Sequence, residues 1–350
     1  MKNMSALSSR YPIGTGPDIV IAGAGLIGLA IAFELNSRGA AVTVIDCGRS
    51  LASASTAAAG MLAAEDPYNP PELFPLSCLS TERYPAFLRR IEELSGIEIP
   101  IQTETTVQYL SNGTSLRLAE CSIDPRQLAS ALLAAVKATP IRVLEEMHIA
   151  ALDTAPNGKK IHLEDGSTII SRALICAAGA WTSKLMIKLH KEALPVAPRK
   201  GQMLRVRLPL ALALNEVHRG EHIYIVPRTR GPQAGTALIG ATVEDAGFDT
   251  AVHTKDLDTL RALAAELQPA FASKTEAPLV ESWAGLRPAT PDALPILGAC
   301  ANHSLFIASG HYRNGIMLAP ATALVMADLL EGKPPLVDLS AFSPTRFSVL

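Results

Sequence analysis

The chain is poor in the features that mark several classes of protein. It has five cysteines in 350 residues: Cys47, Cys78, Cys121, Cys176 and Cys300. Their number is odd, no two form C-x-x-C, and the gaps between them are long and irregular. Neither a disulfide framework nor a zinc knuckle is expected, and reduced thiols in a cytoplasm fit better. Neither sign of charge is in excess: 31 Lys+Arg against 33 Asp+Glu leave a formal net charge of -2. With no basic field to neutralise phosphates, a nucleic-acid partner is not expected. Long apolar runs are missing too. Residues 19–33 are almost wholly apolar but short and interrupted by Gly23, Gly25 and Gly28, while 316–330 contain Pro320 and Asp328, so no transmembrane segment is expected. Residues 1–17 lack the apolar stretch of a signal peptide and read as a loose tail.

What is present is the material of a globular protein, 48% hydrophobic and 18% charged residues, with a mean hydropathy of +0.23. That composition excludes a disordered, collagenous or coiled-coil chain. The length exceeds what one small core organises, which suggests one large or two interleaved domains.

Residues 18–23 and 41–46 are short β-branched runs, each reading as a buried parallel strand, with a helix over 26–38 stopped by Gly39 between them. The connecting turn, Gly23-Ala24-Gly25-Leu26-Ile27-Gly28, matches G-x-G-x-x-G, and Asp46 ends the second strand. In this context each position has a physical role. Gly23 makes the tight turn, Gly25 lets a diphosphate approach the backbone, and Gly28 lets helix and strand pack closely. The free N–H groups and positive end of the helix would face the diphosphate, and Asp46 would accept hydrogen bonds from ribose hydroxyls. The fingerprint alone does not separate FAD from NAD. After Asp46 the chain continues with a small-residue segment over 53–64 read as helix, a proline loop over 67–75, a helix over 79–94 and an antiparallel excursion. Cys176-Ala177-Ala178-Gly179 then returns far along the chain. That layout suits a long cofactor lying extended across a domain. Further strands are expected at 106–110 and 116–118 around Asn112-Gly113, then at 141–144, 149–152 and 160–163, the last two joined at Asn157-Gly158. Others are expected at 173–176, 202–208, 223–226, 236–239, 295–297 and 305–308. Helices are expected from Asp124-Pro125 to Lys137, after Trp181, over 255–267 and over 314–330.

Seven segments in order carry a resemblance over about residues 18–332. They are the Gly23–Gly28 fingerprint, Ser55-Thr56-Ala57-Ala58-Ala59-Gly60-Met61-Leu62, Pro198-Arg199-Lys200-Gly201-Gln202 and Tyr224-Ile225-Val226-Pro227-Arg228. Then come Ile239-Gly240-Ala241-Thr242-Val243, Trp283-Ala284-Gly285-Leu286-Arg287-Pro288 and Gly310-His311-Tyr312-Arg313-Asn314-Gly315-Ile316. In these the chain resembles the D-amino-acid oxidase/sarcosine oxidase group of FAD flavoproteins, most of all its glycine oxidase branch of the thiamine-pathway type.

The resemblance implies an α/β plus α+β fold, a glutathione-reductase-like Rossmann domain interleaved with an antiparallel-sheet substrate domain. The FAD-binding domain would use 18–77, 121–195 and 283–332, the substrate domain 78–120 and 196–282, with tails at 1–17 and 333–350. It implies that Ala24, Leu26, Ile27, Cys47, Ser55, Thr56, Ala57, Ala59, Gly60 and Met61 join the three fingerprint glycines and Asp46 along the cofactor. Ile149, Ala178, Gly179, Trp181, Arg287 and 310–316 would complete that lining. Arg287 would grip a substrate carboxylate with Tyr224 beside it, and Arg313, Met61 and Val243 would border the substrate. The implied reaction is oxidative deamination of glycine or another small amino acid to the imine, with O2 reduced to H2O2, feeding thiazole synthesis for thiamine in the cytoplasm. Hydride transfer to the flavin would leave no catalytic acid or base to find. Relatives are often oligomeric, which implies a homo-oligomer here. Asp46 stands where many relatives have Glu, and Val243 where a close relative has Met. No C-terminal cysteine is placed for covalent attachment, so noncovalent FAD is expected.

Rival readings are a D-amino-acid dehydrogenase, a sarcosine or N-methylamino-acid oxidase, an NAD-dependent dehydrogenase, and a flavin-carrying binding protein without turnover. Three features get plain structural expectations: His311 as structural rather than a base, Trp283 as core, and His218 with His222 as no metal site.

Overall fold

The β-branched run Ile19–Ala22 is buried at every position and forms the centre of a parallel sheet. It pairs with Val42–Ile45 on one side and Ala173–Cys176 on the other. The structure is a computed structural model describing residues 18–156, 158–191, 193–300 and 304–347; the expected tail at 1–17 and Asn157 of the expected turn lie outside the described residues. The whole sheet runs Ile296–Ala299, Leu305–Ser309, Ala173–Cys176, Ile19–Ala22, Val42–Ile45, Arg142–Leu144. Only Ile296–Ala299 is antiparallel to its neighbour. Because side chains alternate along a strand, Ile19 and Ile21 enter one core and Val20 and Ala22 another. The first core holds the helices Leu26–Ser37, Phe74–Ser95, Pro125–Lys137 and Gly315–Leu330. The second holds a three-stranded sheet (Ile149–Ala155, Gly158–Leu163, Thr168–Ser171) and the helix Thr182–His190.

A second sheet of seven strands runs Leu279–Ala289, Ala197–Arg207, Thr236–Gly240, Tyr224–Arg228, Val217–Arg219, Thr106–Tyr109, Ser115–Leu118. One face packs on the helix Thr254–Leu267 through Leu260 and Ala264. The other presents Val226, Leu238, Tyr224 and Trp283 to Ala59 and Met61, so the segment after the dinucleotide turn lies where the two sheets meet.

Several expectations are corrected. Only Ala54–Ala57 of the expected helix 53–64 is helical. Gly60 takes φ +90°, and a Cβ there would sit 2.1 Å from the Ile123 carbonyl oxygen, so the small residues serve a tight passage rather than a helix. The helix expected at 79–94 is Phe74–Ser95 and begins inside the proline loop; Pro75 is tolerated in its first turn and Pro85 lies within it. The 11-residue strand Leu279–Ala289 is absent from the sequence expectations. The stretch 333–347 is no free tail: Phe342 is 1% exposed and Arg346 Nε lies 2.8 Å from Asp292.

The last helix carries Pro320, which has no N–H to offer the carbonyl of Ile316. The Tyr84 hydroxyl donates to that oxygen at 2.6 Å instead. Ser80 donates to the Met317 oxygen at 2.6 Å and accepts from the Ala321 N–H at 3.1 Å. These substitutes fix the helix whose first residues, Gly315 and Ile316, border a large cavity between the two sheets.

Candidate active site

The turn after the first strand is shaped by two glycines that the fold itself demands. Gly23 has φ +119°, and a Cβ on it would lie 2.3 Å from the Ala177 oxygen; one on Gly28 would lie 1.9 Å from the Gly23 oxygen. Gly25 differs. Its backbone is ordinary (φ -73°), and the nearest atom to an added Cβ is Ser55 Oγ at 3.6 Å. Nothing in the protein requires glycine there, so its absent side chain leaves room for something outside the chain. This is the observation that fits a diphosphate.

The helix N-terminus is less free than expected. The Ala24 N–H donates to Asp46 Oδ2 at 2.6 Å and the Leu26 N–H to Ser55 Oγ at 2.9 Å. Asp46 is held at its other oxygen by the Gly48 N–H at 2.8 Å. Its carboxylate is therefore fixed in orientation at the strand end, where a ribose would lie.

From this turn a cavity of about 1000 Å³ extends, the upper size for a small-molecule site and long enough for an extended dinucleotide. Of the expected cofactor residues, Gly23, Gly25, Leu26, Ile27, Asp46, Cys47, Ser55, Ala57, Ala59, Gly60, Met61, Ile149, Ala178, Gly179 and Trp181 border it. So do His311, Tyr312, Arg313, Asn314, Gly315 and Ile316, and the expected substrate residues Arg287, Tyr224 and Val243. Four expected residues do not. Ala24 is fully buried, Gly28 packs against the Gly23 carbonyl, and Thr56 turns its hydroxyl to the Leu51 oxygen at 3.0 Å. Gly310 (φ +75°) turns the chain beside Thr290.

Arg287 sits on the long strand Leu279–Ala289, half-buried. Its guanidinium lies flat over Gly201 of the neighbouring strand, where an added Cβ would be 2.3 Å from both Nη1 and Nη2. Nη1 donates to the Thr242 oxygen at 3.0 Å. Among the described residues no carboxylate comes within ion-pair distance of it, a rare state for an enclosed guanidinium. The Tyr224 hydroxyl donates to Met203 Sδ at 3.0 Å. Burial pushes that phenol up while Arg287 opposes the shift, so the hydroxyl stays protonated and lies near the guanidinium. Val243 is 62% exposed and Met61 half-buried at the same cavity.

His311 is 3% exposed and its Nε2 meets Thr322 Oγ1 at 3.0 Å. Burial lowers its pKa to about 3, so the ring is neutral over the working range and suits a support rather than a base. The unfolded ring, near 6.5, binds a proton that the folded one refuses. Stability should therefore fall as pH drops from 6.5 toward 3, by roughly 3 kcal/mol at most by pH 4. His311→Gln, which keeps a partner for Thr322, should flatten that acid limb in urea denaturation at a series of pH values. An unchanged slope would show that His311 does not carry the effect.

Sequence reading missed a group of arginines behind the cavity wall. Arg126 and Arg205 lie 4.5 and 5.6 Å from the Trp283 ring. Both reach Glu281, at 2.8 and 3.2 Å. The Trp283 indole donates to the Ala57 oxygen at 3.1 Å and Arg228 Nη2 to the Ala59 oxygen at 2.8 Å. Trp283 is thus a support for the 57–60 segment. His218 is held by the Tyr109 hydroxyl at 2.8 Å while His222 is exposed. No group of potential metal ligands occurs among the described residues, nor any helix long and apolar enough to cross a membrane.

The parallel sheet, the dinucleotide turn and a cavity shared by that turn and a guanidinium with no carboxylate partner among the described residues are the marks of a dinucleotide-dependent oxidoreductase. A family model described as FAD dependent oxidoreductase matches residues 18–122 and 111–329. Among curated relatives, the glycine oxidase of Geobacillus kaustophilus is 34% identical over 94% of this chain and 97% of its own length. The bifunctional protein ThiO/ThiG of Trichormus variabilis is 35% identical over 94% of this chain and 55% of its own, so the chain spans about half of that relative. The crystal structure of the Geobacillus kaustophilus glycine oxidase superposes with a TM-score of 0.86, at 30% identity, covering 94% of this chain and 98% of that one. The chain belongs to the FAD dependent oxidoreductase family of D-amino-acid oxidase type. Its cofactor is FAD, for which the Gly25 opening and the fixed Asp46 carboxylate provide the fit.

Proposed function

We propose that this enzyme oxidises glycine, and other small amino acids less well, to the imine, with O2 reduced to H2O2, the imine serving thiazole synthesis for thiamine. The observation that carries the reading is the acid-free Arg287 guanidinium in the same cavity as the dinucleotide turn. Its planar fork matches both oxygens of a carboxylate at once. Tyr224 adds a hydroxyl donor beside it. Met61 and Val243 border what remains, so a two-carbon acid held by one end is confined in orientation, which is a large rate factor. FAD, when bound, supplies the two-electron acceptor that O2 regenerates. His311 is sequestered by Thr322, so the substrate's ammonium loses its proton to solvent rather than to that ring.

We assign FAD, held without a covalent bond, to the parallel unit (18–77, 121–195, 283–332) and substrate cover to the antiparallel unit (78–120, 196–282), with Leu279–Ala289 running from one into the other. The positive end of the helix Gly315–Leu330 suits the pyrimidine edge of the flavin. The free thiols Cys47, Cys78, Cys121 and Cys176 support a reducing cytoplasm.

Anaerobic mixing of the yellow protein with glycine, sarcosine, D-alanine and D-proline tests the proposal. Glycine should bleach the visible absorbance, and failure to do so removes glycine as substrate.

A further inference from the structure

Beside Tyr224 the cavity is edged by a second set of charges. Tyr224 pairs across the sheet with Arg219, and the hairpin between them, Gly220 to Ile223, borders the cavity. Arg219 is 3% exposed. Its Nη1 lies 2.9 Å from Glu120 Oε2 and its Nε 3.9 Å from Asp66 Oδ2. Its Nη2 is buried without a hydrogen-bond partner among the described residues. The same Asp66 oxygen accepts from Arg313 Nη2 at 2.7 Å. The charges balance: two arginines against Asp66 and Glu120. Asp66 and Arg313 both border the cavity, and the Tyr224 hydroxyl feels both Arg287 and Arg313, so this cluster adjoins the carboxylate anchor.

We propose that Asp66 sets the charge of the substrate the cavity accepts. By binding Arg313 and reaching Arg219 it neutralises a site that would otherwise hold an anion, leaving Arg287 to take a single carboxylate. Amines with one carboxylate enter; those with a second, projecting past Tyr224 toward Arg313, meet Asp66 and are refused. The design is a like-charge barrier rather than a lack of room, since repulsion discriminates where an open cavity does not. Glu120 stays on Arg219 when Asp66 is neutralised, so the net charge of the cluster changes from zero to plus one. This rests on the glycine-oxidising reading above.

The flavin-loaded full-length protein tests it by binding rather than turnover. Acetate and succinate are titrated into wild type, Asp66→Asn and Asp66→Ala, and the shift of the flavin visible spectrum is followed. Wild type should prefer acetate. Either substitution should tighten succinate by about 10-fold or more, the worth of one added charge-assisted hydrogen bond, while acetate changes by less than about 3-fold. Adding Arg313→Gln to Asp66→Asn should abolish the gain. Unchanged succinate affinity with acetate binding intact would overturn the inference and leave the glycine reading standing, as would a gain that survives Arg313→Gln. Absence of acetate binding in all forms, wild type included, would overturn both.

Discussion

Arg287→Ala should raise the KM for glycine by about 30- to 1000-fold and lower kcat as well, while the protein stays yellow. Truncating one partner of an enclosed charged contact costs roughly 2–4 kcal/mol, at tenfold per 1.4 kcal/mol. Two neighbouring cations are already engaged. Lys200 is engaged with Asp249 at 2.8 Å and Arg313 with Asp66 at 2.7 Å. The fall in kcat arises because a carboxylate held by a fork also fixes the α-carbon, and a loosened one does not. Arg287→Lys keeps the charge and loses the fork, so it should fall between. Gly201→Ala supplies a test that leaves the guanidinium in the protein. The new methyl would occupy the position 2.3 Å from Nη1 and Nη2, so the arginine must lift from the strand and KM should rise without loss of charge. Steady-state kinetics with a flavin count from the visible spectrum reads all three. Loss of flavin from Arg287→Ala would move this residue from the substrate to the cofactor.

The dinucleotide unit was legible because local sequence determines it. The β-branched run ended by Gly23 and the one ended by Asp46 read as buried parallel strands, and Asp124 with Pro125 opens a helix, as the Arg126 N–H donating to Asp124 Oδ1 at 2.9 Å bears out. The long strand Leu279–Ala289 was not legible, since Gly285, Pro288 and the polar Glu281, Ser282 and Arg287 break any alternation. Its continuity comes from pairing with Ala197–Arg207 along nearly its whole length. Gly201 and Gly285 face each other there, and each glycine has its own reason. Gly201 makes room for Arg287, and Gly285 for Ala57, whose Cβ an added side chain would approach to 2.6 Å. The cluster of Asp66, Arg219 and Arg313 was invisible for another reason. Its members lie far apart in the chain; Arg313 falls in a segment that carries the resemblance, but Asp66 and Arg219 read as ordinary surface charge until the hairpin and the last helix bring all three to one rim. Arg126 and Arg205 lie against Trp283 and Arg228 against the Ala59 carbonyl, cations tolerated there because Glu281, Asp124, backbone carbonyls and the indole face share them.

The three fingerprint glycines should respond differently to the same substitution. Gly28→Ala places a methyl 1.9 Å from the Gly23 oxygen, forcing the helix Leu26–Ser37 off the strand Ile19–Ala22. Both belong to the buried core, so the flavin-free protein should lose about 1–3 kcal/mol or more of stability, the usual cost of overpacking. Gly23→Ala adds backbone strain at φ +119° to a 2.3 Å approach to Ala177 and should be at least as damaging. Gly25→Ala meets neither obstacle: φ is -73° and the nearest atom is 3.6 Å away. Its flavin-free form should melt within a few degrees of wild type, since a helix-flanking glycine exchanged for alanine costs about 1 kcal/mol or less. Yet its affinity for FAD should drop by about 10- to 100-fold, because the methyl points where the diphosphate must approach the backbone. Thermal denaturation of the stripped proteins, followed by FAD titration watched through flavin fluorescence, separates the two effects. If Gly25→Ala bound FAD as wild type does, the opening at that turn would not be where the diphosphate lies. The Asp46 carboxylate, fixed between the Ala24 and Gly48 amides, would then have to bear cofactor recognition at that end by itself.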